Sequence, residues 1–358
     1  MEEEGIEFET GKSFYNPHMH FCRSFSSLLV GSLPEGLSVL DGFSASGIRG
    51  IRYAKENQNI SSIDFVEMQE EAAALCGKNA AGNGVSAEIH EQEFNSFLMD
   101  RHYDFLEIDP FGSPAPHIYH AVRSFRNKKS GYLSITATDT AVLCGAHPDA
   151  CKRVYHSLPL HDEIFHEAGI RILLKYVSRV ANEFNFGISP LASLSRRHFF
   201  KIFLKLEKGS KKALGDFNST GYLIFCSACG HRESGRMGME TCPMCGKKPS
   251  VAGPLWLGEL HHPETLEKME SLNSMRDYAH KEELAETLSI MQGEIGMPPW
   301  FFEIHKTCGR LGIQPPPKTK TLLKSLREES FRAEPTHFSP IGIKTDADIT
   351  AFGKSLKA

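Results

Sequence analysis

Asp109-Pro110-Phe111-Gly112 brings together an acceptor carboxylate, a residue without an amide hydrogen, a flat aromatic face and a residue without a side chain. Exocyclic amino groups of bases are poor nucleophiles because their lone pair is delocalised into the ring. A carboxylate that accepts one N–H localises that pair, aims it, and can take the proton lost after attack. Pro110 fixes its own φ and removes a donor, so nearby carbonyl groups stay free for a second N–H. Phe111 offers a plane on which a base can stack, worth about 1–3 kcal/mol, and Gly112 leaves room beside it. Taken alone, Asp-Pro-x-Gly is a common turn after a strand; its surroundings must supply the chemistry.

Cys226-x2-Cys229 and Cys242-x2-Cys245, twelve residues apart and each followed by glycine, are a second constellation. Four thiolates at this spacing specify a closed, tetrahedral Zn²⁺ site. With no open coordination position, the metal's role is structural: it orders a ribbon with little core of its own. The nine cysteines are an odd number, and the acidic start Met1-Glu2-Glu3-Glu4 has the wrong sign for a signal peptide. Thiols and a cytoplasmic location are therefore expected. Cys144, His147 and Cys151 could suggest a second metal, but a loop packed beside the reaction centre explains them as well.

These groups need a frame. Strands are expected at Leu37–Leu40, Ser62–Val66, Tyr103–Ile108 and Gly131–Thr136, with helices through Ile51–Ala54 and Glu70–Leu75. Strands separated by helices imply βαβ units, a parallel sheet, and ligands at its carboxyl edge. There, Leu40-Asp41-Gly42-Phe43-Ser44-Ala45-Ser46-Gly47 forms a glycine-containing turn, which puts Asp41 among the cofactor candidates. The G-x-G-x-x-G that cradles a pyrophosphate is not intact. S-adenosylmethionine, which has no pyrophosphate, suits the looser turn better than NAD does. Glu67, closing the second strand, can accept from both ribose hydroxyls. Glu93-Phe94 offers a carboxylate or backbone group for the amino edge of an adenine and an apolar face for its ring.

The 358 residues carry a net charge of −4, so the chain is no general phosphate glove, and no apolar run approaches the ~18 residues of a membrane span. Local basic clusters remain: Arg123, Arg126, Lys128 and Lys129; Arg196, Arg197, Lys201, Lys205, Lys208, Lys211 and Lys212; and Lys318, Lys320, Lys324, Arg327 and Lys344. Solvated faces are the ordinary reading of such runs; with a nucleic-acid substrate they become candidate phosphate contacts. Breaks in character divide the chain into an α/β domain over 1–220, a zinc-ribbon segment and connection over 221–257, and a smaller α/β region over 258–358. The last is winged-helix-like, with a helix near Lys318–Arg327 and a hairpin through Phe331–Lys344.

Several motifs together resemble one family, the tRNA (guanine(26)-N(2))-dimethyltransferases. They are Phe14-Tyr15-Asn16-Pro17, Ser46-Gly47-Ile48-Arg49-Gly50-Ile51-Arg52, Asp109-Pro110-Phe111-Gly112-Ser113-Pro114, Thr136-Ala137-Thr138-Asp139, Cys144-Gly145-Ala146-His147-Pro148, and Thr336-His337-Phe338-Ser339-Pro340-x-Gly342-Ile343-Lys344-Thr345-Asp346. The resemblance spans nearly the whole chain. It implies a Rossmann-like class I methyltransferase domain, S-adenosylmethionine as methyl donor, tRNA as substrate, and no obligate protein partner. It further implies that Arg23 and Arg52 contact the cofactor with Glu67, Glu93 and Phe94, that Phe14 and Phe111 sandwich the guanine, and that Asp109 is the acidic residue of the catalytic centre. The C-terminal region then grips the tRNA. Two other readings remain open to the residues alone: an amino-methyltransferase for another RNA or DNA base, and a catalytically silent zinc-containing RNA-binding protein.

Overall fold

The structure, a computed structural model, describes residues 1–357. Five β-rich runs form parallel neighbours: β1 (Leu37–Asp41), β2 (Ile60–Glu67), β3 (Glu88–Glu91), β4 (Phe105–Ile108) and β5 (Ser130–Ala137). Two more, β6 (Phe186–Arg196) and β7 (Phe199–Lys208), complete a seven-stranded sheet of order β3-β2-β1-β4-β5-β7-β6. Only β7 runs against the rest, pairing antiparallel with both β5 and β6. The strand order turns back between β1 and β4. That switch point opens a crevice beyond the carboxyl ends of the two strands.

Helices cover both faces, as the near-continuous apolar character of the central strands requires. On one side lie α1 (His20–Gly31), α2 (Ile48–Glu56) and α3 (Glu70–Gly82); on the other, α4 (Phe94–Phe97), α5 (Ala115–Ser124) and α6 (Phe165–Glu183). A three-stranded sheet, β8 (Thr220–Phe225) between β9 (Arg232–Gly235) and β10 (Ser250–Trp256), carries the cysteine pairs. Leu223, Phe225, Leu255 and Trp256 sink into the core on the α6 side, so the ribbon is rooted in the main body. Next come α7 (Pro263–Met275) and α8 (Lys281–Gly293), whose Leu266, Met269, Leu284 and Leu288 share a core with Phe21, Phe25 and Leu28 of α1.

A separate core begins only at Phe302. There the hairpin of β12 (Ala333–Thr336) and β13 (Ser339–Thr345), with the short β11 (Phe302–Glu303), packs on Leu322 and Leu326 of α9 (Thr319–Glu328) and on Phe352. The expected C-terminal hairpin and short helix are both present. Among the described residues, no helix is long and apolar enough to cross a membrane.

Candidate active site

Asp109 stands one residue past β4, at the switch point, with its side chain 21% exposed. Arg49, in the first turn of α2, donates from Nη2 to Asp109 Oδ2. The same guanidinium lies 3.8 Å (Nε to Oε1) from Glu107, which is wholly buried in β4. Glu107 also accepts from the Tyr53 hydroxyl at 2.8 Å and from Lys201 Nζ, and Lys201 donates to Thr136 Oγ1 at 2.9 Å. Buried charges persist only when paired and hydrogen-bonded. This network supplies both conditions directly beneath the reaction centre.

Three carboxyls (Asp41, Glu107 and Asp109) face two cations, Arg49 and Lys201, so the cluster holds an excess of acid. Asp41 absorbs it. Burial, and then the charge of Glu107, push its carboxyl up to about 7, while its Oδ2 accepts the Gly50 N–H at 3.0 Å. Asp109 goes the other way. Burial pushes its carboxyl up, but the charges of Arg49 and Lys201, with hydrogen bonds from Thr136 and Arg49, outweigh that and hold it below the usual carboxylate range. An ionised Asp109 is an acceptor only, which is what an incoming amino group requires.

The Asp109–Gly112 loop is tied down from β5 and beyond. Gly112, at φ +79°, donates its N–H to Thr138 Oγ1 at 2.8 Å and accepts the Thr138 N–H at 3.0 Å. Ser113 Oγ and the Tyr155 hydroxyl are 2.7 Å apart, and Tyr155 donates to Asp139 Oδ2 at 2.8 Å. Phe111 is left 78% exposed. Facing it is Phe14, from the N-terminal segment ahead of α1 and 59% exposed, with ring centroids 4.9 Å apart and planes at 81°. Two large exposed aromatics brought together from distant sequence are unusual on a free surface. Their edge-to-face contact is a closed pair, since a base stacked between two rings needs them about 7 Å apart, two van der Waals spacings of ~3.5 Å.

Glu67 closes β2 with a half-buried carboxylate that accepts the N–H groups of Ala45 and Gln69, each at 2.9 Å. Each oxygen retains a second lone pair, so the group fits the vicinal hydroxyls of a ribose. Glu93 caps α4 by accepting from Asn95 N at 3.0 Å and Ser96 N at 2.8 Å. Burial raises its carboxyl, yet these bonds bring it below the ordinary value. Phe94, the expected apolar face for the adenine, is buried. Its ring is 3% exposed and fills the space beside Gly42, where a Cβ would come within 2.3 Å of it. Asp41 is equally internal, 1% exposed, and faces the start of α2.

Arg23 and Arg52 lie together, but on a carboxylate of the chain itself. Glu3, 3% exposed, receives Arg23 Nε at 2.7 Å and Arg52 Nη1 at 2.8 Å, and Arg52 also bonds Glu56 at 2.6 Å. A cofactor carboxylate reaches these guanidiniums only by sharing or displacing Glu3. One helical turn nearer the crevice, Arg49 is the arginine that touches Asp109. Sequence reasoning passed it over. Two expected phosphate contacts are corrected outright: Lys201 is wholly buried on Glu107, and Lys344 is 1% exposed, bonded to Glu167 and, at 3.0 Å, to the Pro298 carbonyl.

The four ribbon thiols converge. Cys226 and Cys245 sulfurs are 3.5 Å apart, those of Cys229 and Cys242 3.6 Å, and all four ligand atoms lie within 4.8 Å of one another with no disulfide. Tetrahedral Zn²⁺ with bonds of ~2.3 Å sets sulfur–sulfur edges of about 3.8 Å, so the donor set fits the metal. Gly230 and Gly246, at φ +83° and +71°, turn each knuckle back on its first cysteine. Cys144, His147 and Cys151 do not come together in this way. His261, Glu294 and His337 do, but as a hydrogen-bonded hub. The Ser193 N–H on His261 Nδ1, at 3.4 Å, leaves Nε2 to donate to Glu294 at 3.0 Å, while His337 Nδ1 reaches the same oxygen at 2.9 Å.

The family described as N2,N2-dimethylguanosine tRNA methyltransferase matches residues 1–357. The chain is 37% identical to a tRNA (guanine(26)-N(2))-dimethyltransferase of Thermococcus kodakarensis over 365 aligned residues, covering 96% of this chain and 93% of the relative. It is 34% identical to the enzyme of that name from Methanobrevibacter smithii, covering 96% and 91%. Trm1 of Pyrococcus horikoshii, solved with S-adenosyl-L-methionine, shares the fold with a TM-score of 0.90 at 32% identity over 99% of each chain. Since the match runs from end to end in sequence and in fold, the chain belongs to the N2,N2-dimethylguanosine tRNA methyltransferase family.

Proposed function

We propose that this chain methylates the exocyclic N2 of guanine 26 in tRNA, twice, with S-adenosylmethionine as donor and Asp109 as the acceptor of the amino hydrogen. The observation that carries the reading is an ionised, partly exposed carboxylate beside two exposed aromatic rings at the sheet's switch point. S-adenosylmethionine supplies an electrophilic methyl group. Glu67 would take its ribose hydroxyls and Glu93, at the start of α4, the amino edge of its adenine, with the buried Phe94 ring backing the site beside Gly42. Arg23 and Arg52 would take its carboxylate by sharing or displacing Glu3, and Asp41 orders the turn from beneath through the Gly50 N–H.

Guanine 26 has to leave its stack, at a few kcal/mol (~2–3), as for other enzymes that act on bases. Phe14 and Phe111 part and receive it between them. Asp109 accepts one N2 hydrogen, and a carbonyl left free beside Pro110 accepts the other. The lone pair would then point at the methyl carbon. As the N–C bond forms the S–C bond breaks, its electron pair staying on sulfur so that S-adenosylhomocysteine leaves as a neutral thioether, and Asp109 takes the N2 proton. Positioning of this kind supplies roughly 7–11 kcal/mol of a barrier. A second transfer needs room for the first methyl, and a Cβ placed at Gly112 meets nothing within 4 Å.

Zinc on Cys226, Cys229, Cys242 and Cys245 would order the ribbon without entering the reaction. We read residues 1–220 as the catalytic domain, 221–257 as ribbon and connection, and 258–358 as the tRNA-holding region. In that region Lys318, Lys320, Lys324 and Arg327 are exposed on and beside α9. A tRNA substrate fits a cytoplasmic location. The test is nucleoside analysis of tRNA after incubation with labelled S-adenosylmethionine. Label in N2,N2-dimethylguanosine at position 26 supports the proposal; label in another base, or none, overturns it.

A further inference from the structure

The N-terminal arm opens with the acidic run Glu2-Glu3-Glu4. In the fold it is pinned, and the pin sits directly behind Phe14. Glu2–Glu3 and Ile6–Glu7 pair as a hairpin, and the terminal amino group donates to the Phe8 carbonyl at 2.8 Å. The Phe8 ring lies 5.1 Å from that of Tyr15. Tyr15, the residue after Phe14, turns inward where Phe14 faces out, and its hydroxyl donates to Glu3 Oε2 at 3.0 Å. Arg23 closes the assembly: it bonds Glu3, its guanidinium carbon stands 4.9 Å from the Tyr15 ring centre, and Nη1 reaches the Asn16 carbonyl at 3.4 Å. The residues that follow Phe14 are therefore gripped through one buried carboxylate, while its own ring meets Phe111.

We propose that Glu3 and Tyr15 are positioning residues for the substrate clamp, holding Phe14 at the place where it meets Phe111. The inference rests on the reading that these two rings receive the target guanine. Burial pushes the Glu3 carboxyl up, and the bonds and charges of Arg23 and Arg52 overcome it, bringing it down to about 2. The pin thus stays charged throughout the working range of pH. A charged hub with three partners sets Tyr15 in one place, and the one-residue step from Tyr15 to Phe14 transmits that placement to the clamp. Glu3 acts on Phe14 through Tyr15.

The experiment pairs Tyr15→Phe and Glu3→Gln with Phe14→Ala in a double-mutant cycle. Three quantities are read: kcat/KM for tRNA, S-adenosylmethionine affinity by calorimetry, and the fluorescence of tRNA carrying 2-aminopurine at position 26. Tyr15→Phe keeps the ring on Phe8 and Arg23 and removes only the hydroxyl, so it guards against a folding defect in the glutamate variant. Each single variant should lower kcat/KM for tRNA about tenfold, as expected for losing one hydrogen bond to a charged group. In Tyr15→Phe, which leaves Arg23 and Arg52 on Glu3, cofactor affinity should stay within about twofold, and in both variants the 2-aminopurine signal should fall with kcat/KM. In the Phe14→Ala background both losses should vanish, because there is no ring left to position. Equal losses with and without Phe14, or cofactor affinity in Tyr15→Phe falling in step with turnover, would overturn the positioning role. Wild-type tRNA turnover in Phe14→Ala alone would overturn the clamp on which it rests.

Discussion

Arg49 and Asp109 form an ion pair across the switch point of the sheet, one side chain from the first turn of α2 and the other from the end of β4. The pair keeps the acceptor ionised against its burial. Arg49→Ala removes the nearest counter-charge, so the Asp109 carboxyl rises. The acid limb of the kcat–pH profile should move to higher pH by roughly 1–3 units, the usual effect of an opposite charge at contact. An unmoved limb would separate Arg49 from the titration.

Asp109→Ala should lower kcat by about 10²–10⁴, the ordinary worth of a positioned acid–base group. Asp109 touches none of Glu67, Glu93 or Phe94, so S-adenosylmethionine affinity should hardly change. Calorimetry alongside single-turnover kinetics checks both halves of the statement.

Asp41 gives a pH dependence of the opposite sign. Its folded-state carboxyl, at about 7, lies above the ordinary aspartate value of 3.8. The folded state therefore holds a proton that the unfolded chain has released. The stability this contributes is fully present below the unfolded value and is lost as pH rises through about 7. Asp41→Asn can still accept the Gly50 N–H and carries no charge. It should be more stable than the parent at pH 8, with the difference shrinking toward pH 5, as read by urea unfolding at each pH.

Lys201 is a structural cation. Lys201→Met strands Glu107 without its ammonium partner and should cost about 3–5 kcal/mol, typical of breaking a buried pair from one side. The double variant Lys201→Met, Glu107→Gln should recover much of that loss. Denaturant midpoints of the four proteins in the cycle provide the measurement.

For the ribbon, metal analysis of the reduced protein should find one zinc per chain. Cys242→Ser should remove it and expose β8–β10 to proteolysis and amide exchange, while the sheet of β1–β7 keeps its protection. Retained zinc in that variant would contradict the four-thiol site.

Much of this was legible in the residues. The alternation of Val39-Leu40, Phe65-Val66 and Leu106-Ile108 with helical stretches announces a parallel sheet, and the cysteine spacing announces the knuckles. Strand β3, Glu88-Ile89-His90-Glu91, escapes notice because an edge strand need bury little. In β6, Pro190 interrupts the pattern at a register shift. The buried network was invisible for a different reason. Lys201 sits in Phe199-Phe200-Lys201-Ile202-Phe203, where a lone lysine among apolar neighbours does signal a buried partner, but charge counting groups it with the surface lysines after it. Arg49 and Arg52 share a motif, and only the pitch of α2 decides which faces the crevice and which faces Glu3. Local spacing reveals elements; it does not reveal which distant carboxylate an arginine will meet.

The edge-to-face contact of Phe14 with Phe111 carries one more consequence. If Phe14 and Phe111 receive the guanine as proposed, entry of a base is an exchange of one aromatic contact for two. An RNA that offers no extruded base parts the rings for nothing in return, and they fall shut again. On the proposed reading the pair would thus work as a turnstile, sorting RNAs by whether a base can be surrendered before any methyl group is within reach.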